Sequence, residues 1–229
     1  NNILFFYFGL NLILLSGNFE TFFVGWEILG ITSFLLIAFY RDRYLPVKNA
    51  LKVVSIYRLG DLSILIAIWL IHHLLHQNIT FAKLNDAAFI DQTLGHDFYG
   101  SLVVCSLFLL AAAIKSAQFP FSSWLPRAME GPTTSSAIFY GSLSVHIGVF
   151  LLMRTAPIWE HFPIIQIAIG LLGLVTALIS ASIANVQPTV NTQIAYASIS
   201  QIGIMLIEVA LGWYSIALVH FAGNAFLRT

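Results

Sequence analysis

Apolar runs long enough to cross a bilayer recur from one end of this chain to the other. Windows of ~20 apolar residues divide it into about eight spans. They cover Ile3–Leu15, Phe19–Tyr40, Leu51–Leu75, Tyr99–Trp124, Thr133–Arg154, Phe162–Val186, Val190–Leu211 and Trp213–Arg228. Backbone amides and carbonyls find no water in a bilayer core, so each span must satisfy its own, as a helix does. The expected fold class is an all-α polytopic membrane protein with about eight transmembrane helices, one of them broken mid-membrane. Composition points the same way. Charged residues make up 9% and hydrophobic ones 59%, whereas a soluble domain carries about 25% charge. Such a chain cannot cover a water-facing surface.

Lys115 interrupts this pattern. It follows the apolar stretch Leu102–Ile114, and the stretch then breaks at Gln118-Phe119-Pro120. An ammonium at membrane depth costs roughly 2.5 to 3.5 kcal/mol on insertion scales. Pro120 removes a backbone donor and prevents a smooth continuation, which is expected to leave unpaired carbonyls beside the cation. A buried charge at a helix break suggests a path for ions or protons.

Other charges sit where lipid is expected. Glu27 follows Trp26 near the middle of its span and must be protonated, paired with a cation or facing water. Glu20, seven residues earlier on the same face, lies near the interface. Arg58 and Asp61 are three apart and can neutralise each other, either as structural glue or as part of a relay. Lys115 is the expected partner for Glu27. A pair that opens and closes is a proton switch, and a permanently closed one is only structure. His146, with Ser142 and Ser144 nearby, suits a relay because imidazole titrates near neutrality; a satisfied core histidine is the alternative. His220, Asn224 and Arg228 recur every four residues as a polar stripe. Arg228 holds its proton and is expected to set the field. Glu208 is expected to be merely interfacial.

Orientation follows from the basic residues. Arg41, Arg43, Lys48 and Lys52 surround the Tyr40–Ala50 loop, opposed by Asp42, which places that loop in the cytoplasm. The Gln77–Phe98 loop, with Asp86, Asp91 and Asp97 against Lys83, then lies outside. By alternation the Arg127–Pro132 turn is inside and the Trp159–His161 turn outside. Lys plus Arg equals Asp plus Glu, at 10 each, so net charge does not point to nucleic acid. His72, His73 and His76 have no acidic or thiol companion, so no metal site is expected. Cys105 excludes an internal disulfide framework. No phosphate loop, nucleophile elbow or cysteine cluster is present, so no cofactor and no catalytic centre are expected in this chain. Asn1 does not begin a signal peptide. The expectation is a single domain over residues 1–229, an internal piece of something longer.

Several ordered motifs carry a resemblance. They are Trp26-Glu27-Ile28-Leu29-Gly30, Arg58-Leu59-Gly60-Asp61, Lys115-Ser116-Ala117-Gln118-Phe119-Pro120, the run from Trp124 to Thr133, and Ala195-Tyr196-Ala197-Ser198-Ile199-Ser200-Gln201-Ile202-Gly203. With these, nearly the whole chain resembles the antiporter-like proton-channel subunits shared by respiratory complex I (chain 5) and the Mrp Na+/H+ antiporters. The resemblance implies paired inverted repeats, of which this chain holds the first and the start of the second. It also implies that Glu27 and Lys115 form the channel pair, Arg58 and Asp61 an accessory ion pair, and His220 the start of a central polar axis. Tyr140 stands where respiratory members carry histidine, and His146 where Mrp-type members carry lysine. Asn224 stands for a second histidine and Arg228 for a lysine, while Thr192 falls near a basic position of the complex I subunits. The wording Trp124-Leu125-Pro126-Arg127-Ala128-Met129-Glu130, with Ala137–Gly141 and Leu227-Arg228-Thr229, is more similar to the membrane subunit of DAB-type inorganic-carbon transporters.

The resemblance therefore implies a proton-translocating subunit of a multi-subunit complex in the cell inner (plasma) membrane. Protons would pass through Glu27, Lys115, His146 and His220, with Pro120 at the helix break. The expected partners are the lipid bilayer and other subunits, among them a large soluble zinc-binding protein that hydrates CO2 to bicarbonate. The alternatives are the NADH–quinone oxidoreductase of complex I and an Mrp-type antiporter.

Overall fold

The computed structural model describes residues 2–75, 79–86, 98–132 and 143–228. Eleven α-helices lie among them: α1 Asn2–Leu15, α2 Phe19–Ile37, α3 Tyr44–Leu75, α4 Phe81–Leu84, α5 Phe98–Lys115, α6 Trp124–Ala128, α7 Ile147–Arg154, α8 Ala156–Trp159, α9 Pro163–Ala184, α10 Val190–Ala210 and α11 Tyr214–Arg228. Short 3-10 turns, Phe121–Ser123 and Ser144–His146, lead into α6 and α7. Five helices, namely α2, α3, α5, α9 and α10, are long and apolar enough to cross a membrane, and three shorter apolar ones begin at Asn2, Ser144 and Tyr214. Together they fall on the expected spans. Tyr140, part of the fifth span and His76 lie outside the described residues.

Local chemistry starts these helices where they start. The Asn18 side chain accepts from the Thr21 amide at 2.9 Å and caps α2, and Glu20 adds a negative charge to its first turn. Thr189 caps α10 through the Thr192 amide at 3.3 Å. Pro163 occupies the first turn of α9, where a missing amide hydrogen costs nothing. At 32 residues, α3 is about 48 Å long by the helical rise, against roughly 30 Å of hydrocarbon. Its basic N-terminal turn therefore extends past the apolar layer.

Contacts between turns define two ends of the bundle. At one end the Phe81 amide bonds the Gly17 carbonyl at 2.9 Å. There too the Arg154 guanidinium reaches the carbonyls of Leu14 and Ser16 at 3.2 and 3.1 Å. The Tyr214 hydroxyl and Glu160 also bond at this end. At the other end Asn49 approaches Glu130 at 3.5 Å, beside Arg41, Arg43, Lys48 and Arg127. Arg43 and Lys48 lie over the rings of Tyr40 and Tyr44 at 5.0 and 5.5 Å, a cation–aromatic arrangement suited to a membrane interface. The grouping of turns is the one that alternation demands.

Inside lipid the helices cannot be driven together by hydrophobicity alone, so close backbone packing matters. The strongest example is α9 on α10. A Cβ added at Gly173 would lie 2.5 Å from the Gly203 carbonyl oxygen, and one at Gly203 would lie 2.7 Å from that of Gly173. The two glycines face each other with no room for a methyl group. Ser200 then donates to the Ala177 carbonyl at 3.0 Å. Besides α9, the α10 helix also packs against α11, α6 and α7. Gly203→Ala is expected to cost about 1–3 kcal/mol by overpacking, read as a lower thermal midpoint of the detergent-solubilised protein; an unchanged midpoint would show that the helices do not meet at these glycines.

Candidate functional site

The helix carrying Lys115 ends in a capped turn rather than in loose carbonyls. Ala117 adopts φ 53°, the left-handed region that alanine rarely enters. With that residue reversed, the Gln118 amide bonds the Ala113 carbonyl at 2.8 Å and the Ala117 amide bonds that of Ile114 at 3.2 Å. This is a Schellman cap, normally built on glycine. The Trp124 indole also donates to the Ile114 carbonyl, at 3.0 Å, and the Gln118 side chain donates to Ser116 at 2.9 Å. The expected unpaired carbonyls are thus corrected: those of Ala112, Ala113, Ile114 and Ser116 all have donors. Pro120 lies beyond the turn, and the reversal at Ala117 precedes it.

Lys115 itself is 1% exposed. Its ammonium sits 4.3 Å from the centre of the Tyr57 ring and 4.6 Å from that of Trp26, and donates to the Trp26 carbonyl at 3.4 Å. Aromatic faces carry negative potential, so the two rings offset part of the lost hydration without neutralising the charge. No carboxylate among the described residues lies within 4.0 Å of it. The expected direct pair with Glu27 is not made. Glu27 instead accepts from Arg58, with both carboxylate oxygens 3.0 Å from one guanidinium nitrogen. The same nitrogen is 3.6 Å from Asp61, so the Arg58–Asp61 pair expected at three-residue spacing is present.

Trp26 ties the two halves together. Its indole nitrogen donates to Asp61 at 2.9 Å, while its ring and carbonyl face Lys115. One residue thus touches the buried cation and a nearby buried carboxylate, and the next residue, Glu27, touches Arg58. Lys115, Asp61 and the Trp26 indole are buried, whereas the Arg58 side chain is 57% exposed. The cluster therefore joins the buried interior to the bundle surface. In the sequence Trp26 stands out only as the neighbour of Glu27, and Tyr57 carries no signal of its own.

Two further polar groups lie on the α11 side. His146 is fully buried and its Nε2 is 3.0 Å from the Asn224 amide nitrogen, with the Phe221 ring edge-on against it. It stands just before Gly148, where an added Cβ would overlap Ser116 and the Ala112 carbonyl. The α7 start therefore lies directly on the Lys115 turn. His220 lies between Glu208 and Gln201, each 2.9 Å from a ring nitrogen. Glu208 is therefore not merely interfacial. Gln201 and Glu208, seven residues apart, share one face of α10, a spacing that the sequence displays. His220 and Asn224 lie a turn apart and engage different partners. The Arg228 side chain and Tyr140 are outside the described residues. No metal-binding group of histidine, cysteine and carboxylate side chains occurs among the described residues.

Comparison with known proteins matches this architecture. Residues 16–228 match the family described as NADH:quinone oxidoreductase/Mrp antiporter, transmembrane. NADH-ubiquinone oxidoreductase chain 5 of Metridium senile is 34% identical over 97% of this chain and 36% of its own length. NADH-quinone oxidoreductase subunit L of Campylobacter jejuni is 35% identical over 98% of this chain and 37% of its own. The chain thus spans about a third of the length of these curated relatives. Among solved structures, the Mrp complex of Dietzia sp. DQ12-45-1b superposes with TM-score 0.87 at 26% identity, covering 95% of this chain and 24% of the chain matched. The archaeal membrane-bound sulfane sulfur reductase shares the fold, with TM-score 0.86 at 20% identity, over 99% of this chain and 46% of its own.

The Trp26 link gives a stability test. Trp26→Phe keeps an aromatic face beneath Lys115 and removes the donor to Asp61. Losing a partner of a buried charged acceptor costs about 1–3 kcal/mol, expected as a lower thermal midpoint. A midpoint equal to that of the wild type would mean that the indole bond contributes nothing.

Proposed function

We propose that this chain, which belongs to the NADH:quinone oxidoreductase/Mrp antiporter transmembrane family, translocates protons as part of a multi-subunit membrane complex. The observation that carries the reading is the Lys115 ammonium, buried at a capped helix end between two aromatic rings with no carboxylate in direct contact among the described residues. A cation so placed is sensitive to small movements of nearby charge. An anion moved towards it holds its proton, and an anion drawn away lets the proton leave. Arg58 controls that movement because it holds Glu27 and Asp61 on one guanidinium nitrogen. When Arg58 takes up another anion, Glu27 and Asp61 become available to Lys115. When it holds both carboxylates, Lys115 keeps only the rings and the Trp26 carbonyl. Asp61 and Arg58 thus act as field and gate, Glu27 and Lys115 as the proton-bearing pair.

From Lys115 the proposed path continues to His146, beside the same turn, and then to His220 on α11. Asn224, one turn after His220 on α11, bonds His146 at 3.0 Å. An amide does not titrate, so Asn224 orients His146 instead of storing a proton. We assign Arg228, at the end of α11, to the field alone.

For the parent assembly, the names of the curated relatives support a quinone oxidoreductase, and the matched solved structure supports an Mrp antiporter as a further arm. The wording of residues 124–130 supports a carbon-uptake complex with a soluble zinc-binding subunit, in the cell inner membrane. Purification of the intact complex decides among them: a large zinc-binding subunit supports carbon uptake, and quinone-reductase subunits with no such protein exclude it.

The proton reading has its own test. In the full-length protein reconstituted in liposomes, Glu27→Gln and Lys115→Ala are each expected to lower proton flux by more than about tenfold, roughly 1.4 kcal/mol of barrier, while the complex still assembles. Wild-type flux in both variants would remove the pair from the pathway.

A further inference from the structure

Glu208 enters the structure as a partner that the path above does not use. Its Oε1 lies 2.9 Å from His220 Nδ1, and Gln201 Oε1 lies 2.9 Å from His220 Nε2. Both ring nitrogens thus face oxygen acceptors. That arrangement holds a doubly protonated imidazolium, whose two N–H groups donate outward. Rotating the Gln201 amide by half a turn presents its NH2 group to Nε2 instead and suits the neutral ring. One pair of helices can therefore hold the ring in either protonation state without moving. The second carboxyl oxygen, Glu208 Oε2, is buried and meets no donor among the described residues. Leaving a buried carboxylate oxygen unpaired is costly, and a proton on the carboxyl group lowers that cost by removing the charge.

Placement adds direction. Glu208 lies in the last turn of α10, and its own carbonyl accepts from Trp213 in the turn to α11 at 2.9 Å. His220 is six residues into α11 from Tyr214, about 9 Å of helix rise. Tyr214 and Glu160 bond at the same end of the bundle. The carboxyl group thus stands between the histidine and that end.

Few other charges face the trio. Helix α9 carries no ionisable side chain. On α7, Arg154 is committed to the Leu14 and Ser16 carbonyls, and His146, in the turn before it, faces Asn224. Arg127, in the last turn of α6, is exposed at the opposite end. Tyr196 lies on α10 three turns before Glu208, and Tyr214 bonds Glu160. His220 is the cation-forming group that Glu208 meets within salt-bridge distance among the described residues.

We propose that Glu208 is a further proton-carrying residue, and that with His220 and Gln201 it forms a station opening the pathway towards the Tyr214 end of the bundle. The proposal rests on the proton-translocation reading. In the transfer step the Nδ1–H bond of the imidazolium breaks and an O–H bond forms at Glu208 Oε1. The ion pair becomes neutral imidazole beside neutral carboxylic acid, so the net charge of the pair does not change. The acid then loses its proton to water at the bundle end, and His220 is reprotonated from the Asn224 side.

The test uses the full-length protein in its complex, reconstituted in liposomes. Glu208→Gln preserves an acceptor for Nδ1–H and removes the titrating group. The expected result is at least a tenfold loss of proton flux with normal assembly, and partial flux in Glu208→Asp. Flux in the Glu208→Gln/His220→Gln double variant should be no lower than in His220→Gln alone, because both act in one step. Wild-type flux in Glu208→Gln, or losses that multiply in the double variant, overturns the assignment. If neither Glu27→Gln nor Lys115→Ala lowers flux, the proton reading itself fails; if they abolish it and Glu208→Gln does not, only the Glu208 assignment fails. Should the Gln variant not assemble, a hydrophobic carbodiimide on the wild-type complex gives the answer, since it adds to protonated carboxyl groups. Modification of Glu208 with loss of flux supports the station, and an unmodified Glu208 overturns it.

Discussion

Keeping one ammonium in an apolar bundle is the constraint that the rest of this structure serves. Lys115 needs compensation for lost water, and it receives it from two aromatic faces and one backbone carbonyl. These groups soften the charge without cancelling it. A tight carboxylate contact would stabilise it further and would also lock it. The arrangement instead leaves the nearest anions tied to Arg58, one step removed. A charge held loosely can respond to its neighbours, and the function proposed for this chain depends on that response.

The break beside Lys115 has a structural basis of its own. Ala117 in a left-handed conformation closes a cap in which the carbonyls of Ala112, Ala113, Ile114 and Ser116 find donors. A membrane interior penalises any other way of ending a helix halfway. The cap also delivers the chain to Thr176, whose hydroxyl accepts from the Phe119 amide at 3.1 Å, so α9 supports the segment after the turn. Because α9 is locked to α10 through facing glycines, the turn, α9 and α10 form one connected frame. The histidine on α11 is presented against that same frame.

Much of the fold was legible in advance because the solvent imposes it. Segment lengths, the alternation of ends and the buried position of Lys115 follow from apolar runs and from where basic residues cluster. The Arg58–Asp61 contact was legible too, since residues three apart on a helix meet whatever surrounds them. Glu27 was recognised as a carboxylate within a span that must be protonated, paired or facing water; it is half-buried and paired, but its partner was not foreseen. Lys115 was the expected choice on charge alone, and Arg58 is the residue within reach. Pro120 drew attention as the breaker because proline announces itself. The reversal falls on Ala117, which carries no such signal, since the position is one that glycine usually takes. Glu208 looked interfacial because nothing near it in sequence reveals that α11 folds back to bring His220 against it.

The sequence by itself determined that this chain lives in lipid, that its spans are helical, and that Lys115 is buried. It could do so because the cost of a charge or a bare backbone group in hydrocarbon depends on composition over one helix length. Only the tertiary structure decided who pairs with whom across helices: Arg58 with Glu27, Trp26 with Asp61 and Lys115, Glu208 and Gln201 with His220. Pairing depends on how helices rotate against each other, and that is settled by contacts such as Gly173 on Gly203. The rotation of one helix against another is a property of the packed bundle, and no single segment carries it.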